Sequence, residues 1–364
     1  MCGCLAIGKI TVPPSVANTE TTRRTGNSYD AIRFLAASAV LFSHHFALSG
    51  RAEPPVPGYG EDFGKLAVEV FFSLSGFLIA RSLLKNIDWA RFAAARLLRI
   101  YPNLLLALVT TSIVTLAYFD NAEHLWAHAK YVIKNLLLFI TGVEYVIPGV
   151  FEGSLSAAVN GPLWSLPAEI HLYLLLFLGF FLFRQHRTLL LIMLLCLASV
   201  PYLTGIDFDY RAFDLRQHSR LACYFFAGGL IACHWGWIGP RALKLGLLGL
   251  FACFALKLLP YNTALNGLAL SSAVVCLGSL RGLSWFAKGG DSSYGIYIYA
   301  WPIQQFCILL IPDFWMSMAV AFIVTASVGY ATWHAFEKRC MNRVDDMAEL
   351  IHRNLQRLFR RRLA

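Results

Sequence analysis

Long apolar segments separated by short polar loops run through most of the chain. A bilayer core about 30 Å thick is crossed by a helix of about 20 apolar residues, and segments of about this length recur along the sequence. The predicted spans are 30–48, 66–84, 100–119, 163–183, 188–205, 218–235, 241–258, 261–280, 292–312 and 314–336. The pattern therefore predicts an all-α, polytopic integral membrane protein with about ten transmembrane helices.

The two ends and one central segment lack this pattern. Residues 1–27 are predicted to be a disordered cytoplasmic leader. Residues 120–162 hold one short apolar piece that contains Lys134, which predicts an outer interfacial or re-entrant helix rather than an eleventh span. Residues 339–364 combine helical apolar spacing with a basic face, which predicts an amphipathic cytoplasmic tail on the inner leaflet. The membrane domain between leader and tail is predicted to be 28–338.

Composition and charge agree with a membrane protein. Of the 364 residues, 57% are hydrophobic and 14% are charged, whereas a soluble domain carries about 25% charged residues. With the N-terminus inside, the basic residues fall in the inner loops and tail, and the outer loops are acidic or mixed. This positive-inside distribution predicts an N-in, C-in topology and explains the net charge of +10 without nucleic acid. The nine cysteines show neither a disulfide framework nor zinc-ligand spacing.

Two ionisable residues lie inside the first predicted span. Arg33 and His44 are eleven positions apart, which is three helical turns plus about 20° and a rise of about 16 Å. They therefore share a face without touching. Ionisable residues inside apolar spans are costly and mark functional sites, so we expect this pair to bracket a long ligand. His45 faces about 100° away from His44 and is the weaker functional candidate.

Three acid–base groups are expected at similar depth in the outer half of the membrane. They are His44 in the first span, Glu69 in the second and Glu169 in the fourth, judged from a rise of about 1.5 Å per residue. Such a trio suits general acid–base catalysis, because a carboxylate orients an imidazole and stabilises its protonated form. It also fits a buried polar cluster that only holds helices together, and the sequence leaves both interpretations open.

Two arginines lie on the inner side of the third span. The spacing of Arg96 and Arg99 places both guanidinium groups on one helix face, which suits a phosphate-rich ligand. Arginines at cytoplasmic helix ends are also ordinary topology signals. Together with Arg33, they place cations about 15–20 Å below the histidine. This arrangement predicts a cytosolic phosphorylated donor whose reactive end reaches into the membrane, a shape that an acyl-CoA has.

The second span contains small residues in the stretch SLSGF, residues 73–77. Small residues favour close helix packing in membranes. A nucleophilic Ser75 is disfavoured, because the stretch lacks the flanking glycine and strand-to-helix context of a nucleophile elbow.

Six segments of the chain, taken in order, are similar to one known family. They are DAIRFLAASAVLFSHHF, KLAVEVFFSLSGFLI, RLLRIYP, GPLWSLPAEIHLY, GDSSYGIYIYAWPIQQ and ATWHAFEK. Over residues 28–338 the chain resembles the membrane-bound acyltransferase 3 family, bacterial O-acyltransferases of surface polysaccharides. Each motif alone is weak, but all six occur in the family order and at their topological places.

The resemblance implies roles for individual residues. His44 matches the family's proposed catalytic histidine and Arg33 its partner, while Arg96 and Arg99 match the pair that engages the acyl donor. Other motif positions are matched by Ser75, Gly76, Phe77, Glu169 and Glu337.

The chain departs from the family pattern at three positions. Glu69 stands where the family commonly has aspartate, and Pro167 is unusual within its motif. Ala300 stands where many members have histidine, which argues against a catalytic histidine at that position.

The implied activity is an inner-membrane O-acyltransferase that transfers groups other than aminoacyl groups. It would move an acyl group, expected to be acetyl, from cytosolic acyl-CoA to a hydroxyl of a cell-surface or lipid-linked glycan. Acetyl-CoA would be a co-substrate, with no permanently bound cofactor and no metal. The expected partners are this donor, the acceptor glycan and the lipid bilayer.

A glycan or small-solute transporter is the alternative, because intramembrane charges also line transport paths. No internal repeat supports it. The sequence leaves open the acceptor, the acyl chain, the oligomeric state, and the choice between general-base and acyl-histidine mechanisms.

Overall fold

The structure is a computed structural model that describes residues 26–210, 212–257 and 263–363. Side chains are described over the same ranges except at Lys257, Thr263 and 356–363. All but the last two residues of the predicted leader lie outside the described residues.

The described chain is nearly all helical, with one small antiparallel hairpin of β1 (Asp209–Tyr210) and β2 (Phe213–Asp214). In chain order the α-helices are α1 Tyr29–Leu48, α2 Phe63–Lys85, α3 Trp89–Tyr118, α4 Leu125–Leu136, α5 Leu138–Thr141, α6 Ser165–Leu182, α7 Arg187–Thr204, α8 Leu215–Cys233, α9 Trp235–Ile238, α10 Ala242–Lys257, α11 Thr263–Gly278, α12 Ser293–Leu310, α13 Phe314–Thr332, α14 Lys338–Met341 and α15 Val344–Leu363. Short 3-10 turns occupy Ala122–His124, Gly161–Trp164, Gly239–Arg241 and Ser284–Gly289, and a π-helical turn joins α13 to α14 at Trp333–Glu337.

Seven helices in the described residues are long and apolar enough to cross a membrane, which makes this a multi-pass membrane protein. They are Tyr29–Leu48, Phe63–Lys85, Trp89–Tyr118, Gly161–Leu182, Arg187–Thr204, Trp235–Leu256 and Phe314–Leu355. The other three predicted spans are also helices, namely α8, α11 and α12. In α11 the apolar part is short, at Ala264–Gly278, while α8 starts with the polar stretch LRQHSR and α12 carries Gln304 and Gln305.

Aspartates fix where several helices begin. The side chain of Asp62 accepts a hydrogen bond from the backbone N–H of Lys65 at the start of α2. Asp88, Asp214 and Asp313 cap α3, α8 and α13 in the same way. Each carboxylate satisfies backbone donors that would otherwise be unpaired at a helix start.

The closest helix packing joins α2 to α8. A Cβ atom on Gly76 would lie 1.8 Å from the carbonyl oxygen of Phe225, and one on Gly228 would lie 2.1 Å from the carbonyl oxygen of Ser73. Only glycine permits backbones to approach this closely. The packing role predicted for this part of the second span is confirmed.

Residues 156–165 descend into the bundle along α12. The amide of Gln305 donates to the carbonyl of Ser156 at 2.7 Å, and the indole N–H of Trp301 donates to the carbonyl of Ala158 at 2.8 Å. Further down, the hydroxyl groups of Ser165 and Tyr297 are 2.7 Å apart. Helix α6 therefore begins well inside the bundle, beside the first turns of α12.

The C-terminal helix α15 packs on the first turns of α3. Ala348 lies against Ala90 and Ala94, and Asp345 forms an ion pair with Arg91 at 3.3 Å. The tail is thus a helix, as expected, with part of its apolar face on the protein.

Candidate active site

Two arginines contact one carboxylate at the end of the bundle where α1 and α12 begin. Arg33 of α1 and Arg99 of α3 both donate to Oδ2 of Asp291, at 3.0 and 2.6 Å. Asp291 precedes α12, and its other oxygen accepts a hydrogen bond from the hydroxyl of Ser293. One buried carboxylate, 6% exposed, thereby fixes two guanidinium groups side by side.

A second carboxylate holds Arg99 from the opposite side. Glu337 accepts from Arg99 at 3.2 Å and from the amide of Asn103, one turn along α3, at 2.6 Å. It lies at the end of the π-helical turn Trp333–Glu337. Single π-helical turns are frequent at functional sites, and this one brings the last predicted motif residue against the third helix.

The two arginines line a pocket between α1, α2, α3, α6 and α12. Its empty volume, with the open mouth included, is about 780 Å³. Along α2 the lining runs from Val68 to Ile79, which is about 16 Å of helix. The pocket is therefore elongated, with its cations at one end.

Arg96 differs from the other two arginines of this pocket. Its guanidinium lies 5.5 Å from the ring centroid of Tyr173, a distance suited to a cation–π contact. Among the described residues it forms no ion pair, whereas Arg33 and Arg99 do. The N–H groups of Arg96 are therefore available to a ligand in the pocket.

Glu169 also lines the pocket. It accepts a short hydrogen bond from the hydroxyl of Tyr173 and a long one of 3.5 Å from Ser75. The expectation that Glu169 lies at the depth of His44 is wrong. That depth was counted from an outer helix end, but α6 begins deep in the bundle, where Ser165 meets Tyr297, so Glu169 lies among the arginines.

His44 lies beyond the other end of the pocket. A Cβ on Gly64 would be 3.2 Å from Ser43, so the start of α2 is level with His44, and Val68 is about one turn, or 6 Å, lower. The imidazole packs edge-on against Trp301, with 5.1 Å between ring centroids. Its buried Nδ1 has no hydrogen-bond partner within the described residues.

Glu69 belongs to a separate cluster. It accepts a hydrogen bond from the hydroxyl of Tyr59 at 2.9 Å and lies 3.8 Å from the guanidinium of Arg220. No hydrogen bond joins His44 to Glu69 or Glu169 in the part of the chain that the structure describes. The expected meeting of the three groups is therefore not observed, and their catalytic roles stay predictions.

His45 has a structural setting. Its Nε2 lies 3.0 Å from the hydroxyl of Ser317 on α13, and its ring packs against Phe314. His45 thus ties α1 to α13, and His44 is the histidine between the arginine-lined pocket and Trp301.

The structure brings together Arg33, Arg96, Arg99, Ser75, Glu169 and Glu337, of which all but Glu337 line the pocket. Sequence reasoning missed Asp291, although it is the second residue of the quoted stretch GDSSYG. A carboxylate directly before an apolar span, on the side where the arginines were predicted, was the available signal.

Comparisons with known proteins found a family model and two relatives that match this chain. The family model of an acyltransferase domain matches residues 27–334. An O-acetyl transferase of Shigella phage Sf6 is 29% identical over 336 residues, covering 87% of this chain and 96% of that protein. Nodulation protein 10 of Rhizobium leguminosarum bv. viciae is 28% identical over 162 residues, covering 41% of this chain and 43% of that protein. No solved structure gave a significant match.

Proposed function

Because the chain belongs to the acyltransferase 3 family and is therefore an acyltransferase, we propose that it is a membrane-embedded O-acetyltransferase. The donor would be cytosolic acetyl-CoA, and the acceptor a hydroxyl of a cell-surface or lipid-linked glycan. One observation carries the proposal: a long pocket has arginines at one end, and beyond its other end lies a histidine whose Nδ1 has no hydrogen-bond partner within the described residues. The name of the phage relative, an O-acetyl transferase, supports the oxygen acceptor and the acetyl group.

The donor's phosphates would bind at the arginine end. Arg96 is the proposed primary phosphate ligand, because its guanidinium forms no ion pair in the part of the chain that the structure describes. Arg33 and Arg99 are held in place by Asp291 and, for Arg99, also by Glu337. They would supply positive potential and outward-facing N–H groups. The pantetheine arm would then run up the pocket towards Val68.

His44 would act as the general base. Its unprotonated ring nitrogen would accept the proton of the acceptor hydroxyl while that oxygen attacks the thioester carbon. The C–S bond would break, and the CoA thiolate would leave and take up a proton. The ring of Trp301 would fix the orientation of the imidazole. Transfer through a transient acyl-histidine is the other route, and chemical quenching during turnover would trap its acetylated His44.

The topology that serves this reaction has ten transmembrane helices with both ends in the cytoplasm of a bacterial inner membrane. In that arrangement α8, α11 and α12 complete the seven longer spans, and the arginine end of the pocket faces cytosolic acyl-CoA. The positive-inside distribution of charge supports it. The transporter alternative has no observation in its favour beyond the intramembrane charges.

Mass spectrometry of surface glycans from cells with and without the gene tests the proposal. We expect one acetyl mass shift that depends on the gene and disappears in His44→Ala, with the variant still present in the membrane. His45→Ala is the matched control and should retain transfer. Glycans of unchanged mass in the gene deletion would reject the function, and full activity of His44→Ala would reject the base.

A further inference from the structure

A second pocket lies at the other end of the bundle, directly past His44 and Trp301. Its lining includes Leu48, one turn beyond His44 on α1, and Gln305, one turn beyond Trp301 on α12. The two helices run in the same direction, since Arg33 meets Asp291 near their starts and the amide of Gln304 donates to the carbonyl of Leu41 further along. The histidine thus stands between the arginine-lined pocket and this outer pocket.

Arg51 lines the outer pocket and its backbone is firmly placed. Gly50 adopts a left-handed φ of +70°, the N–H of Gly50 donates to the carbonyl of Ala47, and the N–H of Arg51 donates to that of Phe46. This is a Schellman motif, which satisfies the last carbonyls of α1. The motif ends the helix and directs Arg51 over the pocket.

The side chain of Arg51 is placed as well. Its guanidinium lies 3.9 Å from the ring centroid of Phe314, so the ring supports one guanidinium face while the in-plane N–H groups remain available. Within the described residues Arg51 forms no ion pair. Glu53, two residues further along the chain, and Asp313, directly before α13, accept hydrogen bonds from the hydroxyl of Ser43 and the backbone N–H of Met316.

Among the described residues that line this pocket, Arg51 is the only charged one. The rest of the lining pairs hydroxyl groups with apolar surface: Ser49, Ser154 and Ser317 beside Leu155, Ile308 and Leu309. Hydroxyls and an amide suit a sugar, apolar side chains at a membrane interface suit a lipid, and a guanidinium with available N–H groups suits an oxyanion.

We infer that the outer pocket is the acceptor site and that Arg51 binds an oxyanion of the acceptor glycan, a carboxylate of an acidic sugar or a phosphate of a lipid-linked sugar. This inference rests on the proposed function. The donor's thioester and the acceptor's hydroxyl would then reach His44 from opposite ends of the bundle, without sharing an entrance.

Membrane vesicles from the native cells, which contain the acceptor, provide the test. Labelled acetyl-CoA is supplied, and label in the glycan fraction is measured for the wild type, Arg51→Gln and Arg51→Lys. The matched control is Arg216→Gln, which removes an exposed arginine at the start of α8, at the same end of the bundle. We expect Arg51→Gln to slow transfer about tenfold or more, the effect of losing a charge-assisted hydrogen bond. Arg51→Lys should retain part of the rate, and the KM for acetyl-CoA should stay unchanged in every variant.

Three soluble probes identify the oxyanion: glucuronic acid, glucose 1-phosphate and glucose. Inhibition by glucuronic acid supports a carboxylate, and inhibition by glucose 1-phosphate supports a phosphate, in each case only if Arg51→Gln abolishes it and glucose has no effect. Wild-type transfer that Arg51→Gln leaves unchanged would overturn the acceptor site alone. A wild type that transfers no label would overturn the proposed function itself.

Discussion

Asp291 is the residue on which the arginine cluster depends. It is a single buried carboxylate that forms ion pairs with two guanidinium groups from helices far apart in sequence. Removing one partner of a buried ion pair leaves an uncompensated charge, which costs on the order of 3–5 kcal/mol. The stability of the site should therefore be sensitive to this side chain.

We expect Asp291→Asn to lower the thermal unfolding temperature of the purified protein and to raise its KM for acetyl-CoA. Added CoA should reverse much of this decrease in unfolding temperature, because its phosphates supply the negative charge that the variant lacks. Differential scanning fluorimetry with and without CoA measures both effects. Asp346→Asn, an exposed carboxylate on α15, is the control; an Asp291→Asn variant as stable as the wild type would contradict the role.

Arg96 and Arg99 should respond differently to the same substitution. Among the described residues, Arg99 is held by two carboxylates, whereas Arg96 contacts the ring of Tyr173 and forms no ion pair. Arg96→Gln should therefore weaken CoA binding about tenfold or more with little loss of stability. Arg99→Gln should weaken binding and also lower stability, because Asp291 and Glu337 lose a counter-charge. Calorimetric CoA titrations and thermal unfolding separate the two; equal losses of stability would refute the distinction.

At the scale of a helix, the spacing of apolar and polar residues predicted the helices and which residues share a helix face. It did not predict contacts between residues far apart in sequence or the path of the loops. Spacing on one helix correctly placed Arg33 apart from His44 and Arg96 beside Arg99. It missed Asp291, because the partnership with Arg33 joins residues 258 positions apart. It misjudged the depth of Glu169, because counting residues along a helix says nothing about how deep the preceding loop descends.

The contact between α2 and α8 makes Gly76 a structural requirement. A methyl group there would lie 1.8 Å from a backbone oxygen of α8, so the helices would have to separate. We expect Gly76→Ala to lower the unfolding temperature by several degrees and reduce transfer. Gly236→Ala, where a Cβ meets nothing within 4 Å, should leave both unchanged. A Gly76→Ala protein with wild-type stability would show that the helices tolerate separation.

Ion pairs hold the hairpin that α4 forms with the loop after it, residues 125–144. Glu144 forms ion pairs with Lys130 and Lys134 at 3.2 and 2.5 Å. Burial alone would raise the pKa of Glu144, but hydrogen bonds and the charges of both lysines outweigh it and lower this pKa below its ordinary value. A carboxyl group whose pKa is lower in the folded state stabilises that state at neutral pH, and the contribution is lost as the pH falls through the acid range of the folded group.

Amide hydrogen exchange over residues 125–144 should therefore accelerate as the pH falls below the ordinary glutamate range, after correction for the intrinsic pH dependence of exchange. Glu144→Gln should already exchange fast at neutral pH and lose the pH dependence. Identical protection in the wild type and the variant would show that the ion pairs do not hold the hairpin.

The proposed reaction requires that the two pockets face opposite sides of the membrane. Two glycines with open space around them report this: Gly153 borders the outer pocket, and Gly282 lies next to the arginine end, where the N–H of Leu283 donates to Ser28 at the start of α1. A membrane-impermeant maleimide should label Gly153→Cys in intact cells and Gly282→Cys only after permeabilisation, each measured above the background of the native cysteines. The opposite result would place the arginines outside, where cytosolic acyl-CoA cannot reach them, and would invert the assignment of donor and acceptor pockets.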